Sequence, residues 1–181
     1  MRAPIVLASC LALLSAHPSA AQTRAPAATP AAGPAQAGAP QKLGTFEDWI
    51  AARHQEDGRT VCYAFTRASK SAPPVPNRTE VLLTVTQRPN GRDTVAITAG
   101  FDYPANADVG FNVDLTALSF YTSKRNAFAK DGPATVAAMQ RGRTAISRGP
   151  GPRNIPVEDT FSLRGFSPAY AAIVKACPPT R

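Results

Sequence analysis

Val157-Glu-Asp-Thr-Phe-Ser-Leu-Arg-Gly-Phe-Ser-Pro-Ala-Tyr-Ala-Ala-Ile-Val-Lys-Ala-Cys177 carries two periodicities in one run. In its first part Thr160, Ser162 and Arg164 alternate with Phe161, Leu163 and Gly165, the period of two that marks a strand with one buried face. Ser167 followed by Pro168 then reads as a helix start, because a serine hydroxyl caps free backbone N–H groups and proline loses no hydrogen bond in the first turn. Tyr170, Ile173, Val174 and Cys177 fall at i, i+3, i+4 and i+7, one face of a short helix that Pro178 and Pro179 end. That apolar face finishes in a thiol.

Outward from this stretch, the other cysteines are Cys10 and Cys62. Cys10 belongs to the opening segment: Met1-Arg2, an apolar run from Ile5 to Leu14, and Ser19-Ala-Ala21, small residues where a signal peptidase reads. Residues 1–21 are therefore expected to be a secretory signal peptide. Leu7-Ala-Ser-Cys10 resembles a lipobox, but it comes too early and cuts the apolar core in two. Cys62, in the apolar stretch Thr60-Val-Cys-Tyr-Ala-Phe-Thr66, remains as the partner of Cys177. Two cysteines in an exported chain favour a structural disulfide over a catalytic thiol, and a Cys62–Cys177 bridge would pin the terminal helix onto an early strand.

Residues 22–42 are almost entirely Ala, Pro, Gln, Gly and Thr, a composition that buries too little apolar surface to offset chain entropy and reads as a flexible tether. Residues 43–181 are expected to form a single disulfide-stapled β domain. No later apolar run approaches the roughly 20 residues of a spanning helix, so no transmembrane segment is expected in the mature chain.

The formal net charge is +8 with a pI near 9.9, and loss of Arg2 with the leader leaves +7. Basic side chains concentrate between Lys124 and Arg153, where Asp131 is the only acid. Lys124, Arg125, Arg141, Arg143, Arg148 and Arg153 are the candidate anionic contact surface. It would suit an acidic envelope or host-surface protein, an anionic glycan or lipopolysaccharide; the plainer alternative is a solvated face that keeps the chain soluble. Export argues against nucleic acid as the partner.

Short strands with turn chemistry fill the rest. Gly44 to Arg53 fits either a strand or a helix, since Phe46, Trp49, Ile50 and Arg53 also follow a helical period. Glu56-Asp57-Gly58-Arg59 is a turn into a strand from Thr60 to Thr66, and Ser71 to Asn77 is a proline-rich loop. Glu80 to Gln87 and Thr94 to Phe101 pair across an Asn90-Gly91 turn. Val109 to Asp114 and Leu118 to Thr122 form a third pair. Gly132-Pro133 opens a brief helix that Gly142 ends, strand resumes from Arg143 to Ser147, and Gly149 to Pro156 is loop. The expected fold is all-β, an antiparallel sandwich or barrel-like sheet with one short internal helix and a C-terminal helix.

Catalytic patterns are weak. His54 is the only histidine once His17 leaves with the leader, too little for a Ser-His-Asp or Cys-His apparatus or a metal centre. Glu47-Asp48, Glu56-Asp57 and Glu158-Asp159 are sequence neighbours, which a strand points to opposite faces, so none forms a glycosidase-like pair alone. Ser69-Lys70 and Ser123-Lys124 abut loops, and Gly149-x-Gly151 is followed by prolines that remove phosphate-binding N–H groups. Asn77-Arg-Thr79 spells a glycosylation sequon, read as chance. Most of the aromatic residues should be core; Phe120 and Tyr121, which adjoin, must face opposite sides, which leaves room for one to be exposed. No catalytic residue, cofactor or metal is expected.

Gly44-x-Phe46-x-Asp48-Trp49, then Cys62-Tyr63, then Val81 to Thr86, then Phe161-Ser-Leu-Arg-Gly-Phe166 and an Ala-rich terminal helix ending in Cys177, resemble in that order the invasion-associated locus B family of exported alphaproteobacterial proteins. The resemblance spans nearly the whole of 43–181 and settles Gly44 to Arg53 as strand. It implies a β-sandwich domain in the periplasm or at the cell surface, linked in some relatives to host-cell entry, and no enzymatic mechanism. Ser147 to Pro156 departs from the family's Arg-Gly-Thr-containing stretch, and Phe101 to Asn106 stands where a Gly-Tyr-Pro-Phe-like run is usual. The function expected is an exported binding or interaction protein. An envelope structural or stress-protection protein, or a wall- or glycan-acting hydrolase using carboxylates, are the alternatives.

Overall fold

The computed structural model describes residues 39–179. The expected signal peptide and most of the expected tether lie outside the described residues. Strand β1 (Gln41–Phe46) takes in Gln41 and Lys42, the last two residues read as tether. With β2 (Trp49–Glu56) it forms a hairpin closed at Glu47-Asp48, Glu47 adopting a φ of 48°. Gly44 to Arg53, read as one strand, is thus two: two consecutive exposed acids give the chain a polar point at which to turn, and Trp49 then enters the core.

Strand β3 (Arg59–Arg67) returns across Asp57-Gly58, and the short β4 (Lys70–Ala72) takes the start of the proline-rich loop. The expected hairpin of β5 (Leu82–Arg88) and β6 (Gly91–Thr98) forms, but it turns at Pro89-Asn90, with Gly91 already in β6 and paired with Arg88. Next come β7 (Asp108–Val113), β8 (Thr116–Ser123) and β9 (Asn126–Ala129). Helix α1 (Gly132–Arg141) is capped by Asp131, whose Oδ1 accepts from the Ala134 N–H at 2.9 Å. Strands β10 (Thr144–Pro150) and β11 (Pro156–Ser162) flank a 3-10 turn, and helix α2 (Phe166–Ala176) closes the order.

The eleven strands make one antiparallel sheet in the order β1-β2-β3-β5-β6-β9-β8-β7-β10-β11-β4. It folds over itself without closing into a barrel, so the sandwich alternative holds. Trp49, Leu83, Ile97, Phe111, Phe120 and Phe161, all fully buried, fill the space between its halves. Polar ties join the halves where they meet: the Trp49 Nε1–H donates to the Ser162 carbonyl at 3.0 Å, and the Ser69 N–H to the Thr160 carbonyl at 2.8 Å.

Helix α2 begins earlier than Ser167-Pro168 suggests. Gly165 is its N-cap at φ 82°, and a Cβ there would lie 2.0 Å from the Phe46 carbonyl oxygen. Only glycine lets the chain pass from strand to helix so close to β1. The Ser167 hydroxyl instead donates to the Gln140 carbonyl of α1 at 3.3 Å. The helix starts two residues earlier, and Phe166, Ala169, Ile173 and Cys177 are buried, with Tyr170 and Val174 half-buried at the margin. Phe166 packs on Trp49 with ring centroids 4.7 Å apart, a contact beyond plain burial of about 0.5–1.5 kcal/mol. The Tyr170 hydroxyl donates to Asp93 Oδ1 at 2.7 Å, and buried Gln87 donates to the same oxygen. Arg92 donates to the Cys177 carbonyl at 2.6 Å.

The far end of α2 is bonded covalently to β3: Cys62 and Cys177 form a disulfide with Cα atoms 5.9 Å apart across 115 residues. In the chain-entropy description, a link of that span stabilises by roughly 4 kcal/mol. Cys62→Ser should therefore lower Tm by roughly 10 °C under oxidising conditions. Calorimetry of the variant beside wild type with and without reductant checks this, since reduced wild type should melt with the variant.

Candidate functional site

Strand β11 alternates as its sequence implies, with Val157, Phe161 and Leu163 buried, but Asp159 shares their parity and is buried with them. Its partner is Arg78, in the loop between β4 and β5. Arg78 Nη1 donates to Asp159 Oδ1 at 2.8 Å and Nη2 to Oδ2 at 2.7 Å, and the two side chains are 7% and 4% exposed. The Ser71 hydroxyl also donates to Oδ1, at 2.6 Å. Arg78 Nε donates to the Ala99 carbonyl at 2.7 Å, and its guanidinium carbon lies 4.9 Å from the centre of the Phe101 ring. A planar fork on a carboxylate is the geometry that makes such burial tolerable. Glu158, one residue earlier, points outward to Arg148 at 2.7 Å. The adjacent acids thus face apart, and Asp159 has both oxygens engaged.

This pair positions a loop and, through the loop, a turn. Beyond Ala99, Gly100 sits at φ 76° so close to Thr79 that a Cβ would come within 2.5 Å of the Thr79 carbonyl oxygen. The Ala99 N–H donates to the Arg125 carbonyl and the Tyr103 N–H to the Lys124 carbonyl, each at 2.9 Å. The tight turn joining β8 to β9, with Lys124 at φ 53°, is therefore clamped at both of its carbonyls. Thr98 Oγ1 donates to Asn126 Oδ1 at 2.9 Å, which fixes the next side chain as well.

A cleft of about 640 Å³ opens beside this turn. Lys124, Arg125 and Asn126 line it together with Asn77 and Asp102, and Phe101 and Phe128 supply apolar surface. Lys124 and Arg125 are exposed, and neither joins an ion pair among the described residues. Other cations do: Arg67 with Glu80, Arg88 with Glu56, Lys130 with Asp108, and Arg164 with Glu47.

The six cations of the late basic segment do not gather on one patch. Lys124 and Arg125 share the cleft. Arg141 ends α1, and Arg143 follows it, with its backbone N–H donating to Asp114 Oδ2 in the β7–β8 turn at 3.1 Å. That turn is at the opposite end of β8 from Lys124, about 25 Å along an eight-residue strand. Arg148 is neutralised by Glu158, and Arg153 lies in the 3-10 turn. His54 is half-buried with its ring edge-on to Tyr63. Tyr63 and Phe65 stack on the outer face of the sheet, so they are not core. Among the described residues no cluster of His, Cys, Asp and Glu could hold a metal ion, and no helix is long and apolar enough to cross a membrane.

Arg78, Asp102 and Phe128 carry no site signal in the sequence, and Asn77 stands there only as the asparagine of a sequon. Asp159 carried a usable signal: two steps back from Phe161, it belongs to the inward set, and a buried carboxylate requires a cation. Arg78→Met should cost roughly 3–5 kcal/mol, because Asp159 is left buried without its cation. In urea unfolding Arg78→Met/Asp159→Leu should lose much less than the two single losses combined. Tyrosine titration is a second check. Burial and the charge of Asp159 push the Tyr103 hydroxyl up to about 12, against the pull of Arg78, while burial and the bond to Asp93 raise Tyr170 to about 12. Raised values favour the protonated folded state, so this stability is complete below the ordinary 10.0 and is lost as pH rises from there through about 12. Absorbance titration should show two late-ionising tyrosines, one removed by Tyr103→Phe and one by Tyr170→Phe.

A profile of the invasion associated locus B (IalB) protein family matches residues 49–174. The crystal structure of invasion associated protein B from Bartonella henselae superposes with a TM-score of 0.53 at 18% sequence identity, covering 74% of this chain and 95% of that one. At that identity the likeness is one of fold. No curated protein matches the chain in sequence. Because the profile runs from the first core residue of β2 into the last turns of α2, this chain belongs to the invasion associated locus B family.

Proposed function

We propose that this chain is an exported binding module that holds an anionic ligand at the envelope or on a host surface through the cleft beside the β8–β9 turn. The observation that carries the reading is the pair of unneutralised cations, Lys124 and Arg125, on a turn whose backbone is fixed before any ligand arrives. Preorganised charge loses less entropy on binding than charge on a loose loop. Family membership and the Cys62–Cys177 disulfide support a location outside the cytoplasm, where such bonds persist. A carboxylate hydrolase draws less support, since among the described residues Asp102 is the only acid lining the cleft and that chemistry needs two.

Lys124→Glu/Arg125→Glu should weaken retention on immobilised heparin and lipopolysaccharide at low salt by about tenfold or more, as two favourable contacts become repulsive. Arg141→Glu/Arg143→Glu, at the other end of β8, should bind nearly as wild type. Equal retention by the first variant and wild type would refute the assignment of the cleft.

A further inference from the structure

We propose that the ligand of this cleft is an acidic saccharide, held by charge at the turn and by ring stacking on the aromatic strip that continues from it along β8 and β9. The proposal rests on the cleft being the anion site and adds the chemical class of what binds there. Phe128 lines the cleft, and Tyr121 lies directly across from it in the β8–β9 register. Their rings stack with centroids 5.6 Å apart and planes inclined by 29°. Tyr121 is 51% exposed, one of three large apolar side chains so open to solvent among the described residues. An aromatic face open to solvent on a rigid strand is a ready stacking surface for an apolar partner. The C–H face of a pyranose ring is such a partner, and its edge carries the hydroxyls.

The polar groups fit the same ligand. Lys124 and Arg125 would take a carboxylate or sulfate. Asp102, exposed and also lining the cleft, offers carboxylate oxygens that accept from hydroxyls. A site for a bare polyanion gains nothing from a carboxylate set against its cations; a site for a hydroxyl-bearing anion does. Asn126 spends its carbonyl on Thr98, which leaves its amide NH2 to donate, and Asn77 supplies a second amide. Cations, one acceptor, two amides and a stacking face together describe a charged sugar. A single-stranded nucleic acid would share the cations and rings but set its phosphates against Asp102.

The test uses the purified protein, a heparin-derived hexasaccharide and inorganic polyphosphate of similar charge, measured by calorimetry. Tyr121→Ala should weaken hexasaccharide binding about tenfold and leave polyphosphate binding within twofold, while Tyr121→Trp restores the saccharide. Asp102→Ala should weaken the saccharide and strengthen polyphosphate. Tyr121 is a surface residue, and an unchanged melting temperature will show that the variant is folded. If Tyr121→Ala binds the hexasaccharide as wild type does while Lys124→Glu/Arg125→Glu binds neither ligand, the anion site stands and the saccharide is wrong. If the double charge variant binds both ligands normally, the underlying site falls and the saccharide with it. Tighter binding of wild type to polyphosphate or to a thymidine oligonucleotide than to the hexasaccharide would equally overturn the proposal.

Discussion

Arg78 and Asp159 meet out of water, and their geometry dictates where the surface of one end of the sandwich lies. Replacing a buried ion pair by apolar residues of similar volume is often neutral or stabilising, so such a pair is poor evidence of stability by itself. What it supplies here is direction. Three guanidinium nitrogens are committed, two to the carboxylate of β11 and one to the Ala99 carbonyl. No Met or Leu could fix a backbone carbonyl in that way. From Ala99 onward the loop has little freedom, and the β8–β9 turn receives its two backbone hydrogen bonds from that loop. Charge at the rim of the molecule is thus set by a charge in its interior.

The layout of the sheet explains why such a relay is needed. β1, β2, β3, β5 and β6 build one half of the sandwich in successive hairpins, and β8, β7, β10, β11 and β4 build the other. Only β9, four residues long, stands between β6 and β8 to make the sheet continuous. A seam so short holds few ladder bonds. The Arg78 loop and the Trp49 indole reinforce the meeting of the halves elsewhere, each by a contact between residues far apart in the chain.

Local chemistry made much of this legible in the sequence. Asp57-Gly58 turns at positive φ as its backbone freedom predicts, the β5–β6 hairpin turns beside the Asn-Gly pair at Pro89-Asn90 without positive φ there, the alternation of β11 assigns its faces, and Cys62 pairs with Cys177. Other features have no local signal. The division of Gly44 to Arg53 into two strands depends on a turn of two acids that carries neither Gly nor Asn. The start of α2 is decided by the close approach of Gly165 to β1, which only the packed structure reveals. Lys124 and Arg125 stood out within a run of cations, yet their separation from Arg141 and Arg143 follows from strand pairing. Arg78 was hidden in a proline-rich segment without periodicity, and its partner lies 81 residues away.

The disulfide has a consequence for the order of events as well as for the final state. Cys62 is in the third strand and Cys177 just beyond the last helix, so the covalent ring encloses nearly every element of the sandwich. A chain threaded through a membrane N-terminus first cannot close that ring until its final helix has emerged. Trp49 likewise waits for Phe166, and β4 for β11. Assembly from one end to the other is therefore unavailable to this topology: its earliest strands hold open seams that only the last thirty or so residues can fill. The fold is in this sense timed by its C-terminal segment, and a chain cut short before α2 leaves Trp49 without the ring it packs on and Cys62 without its bonded partner.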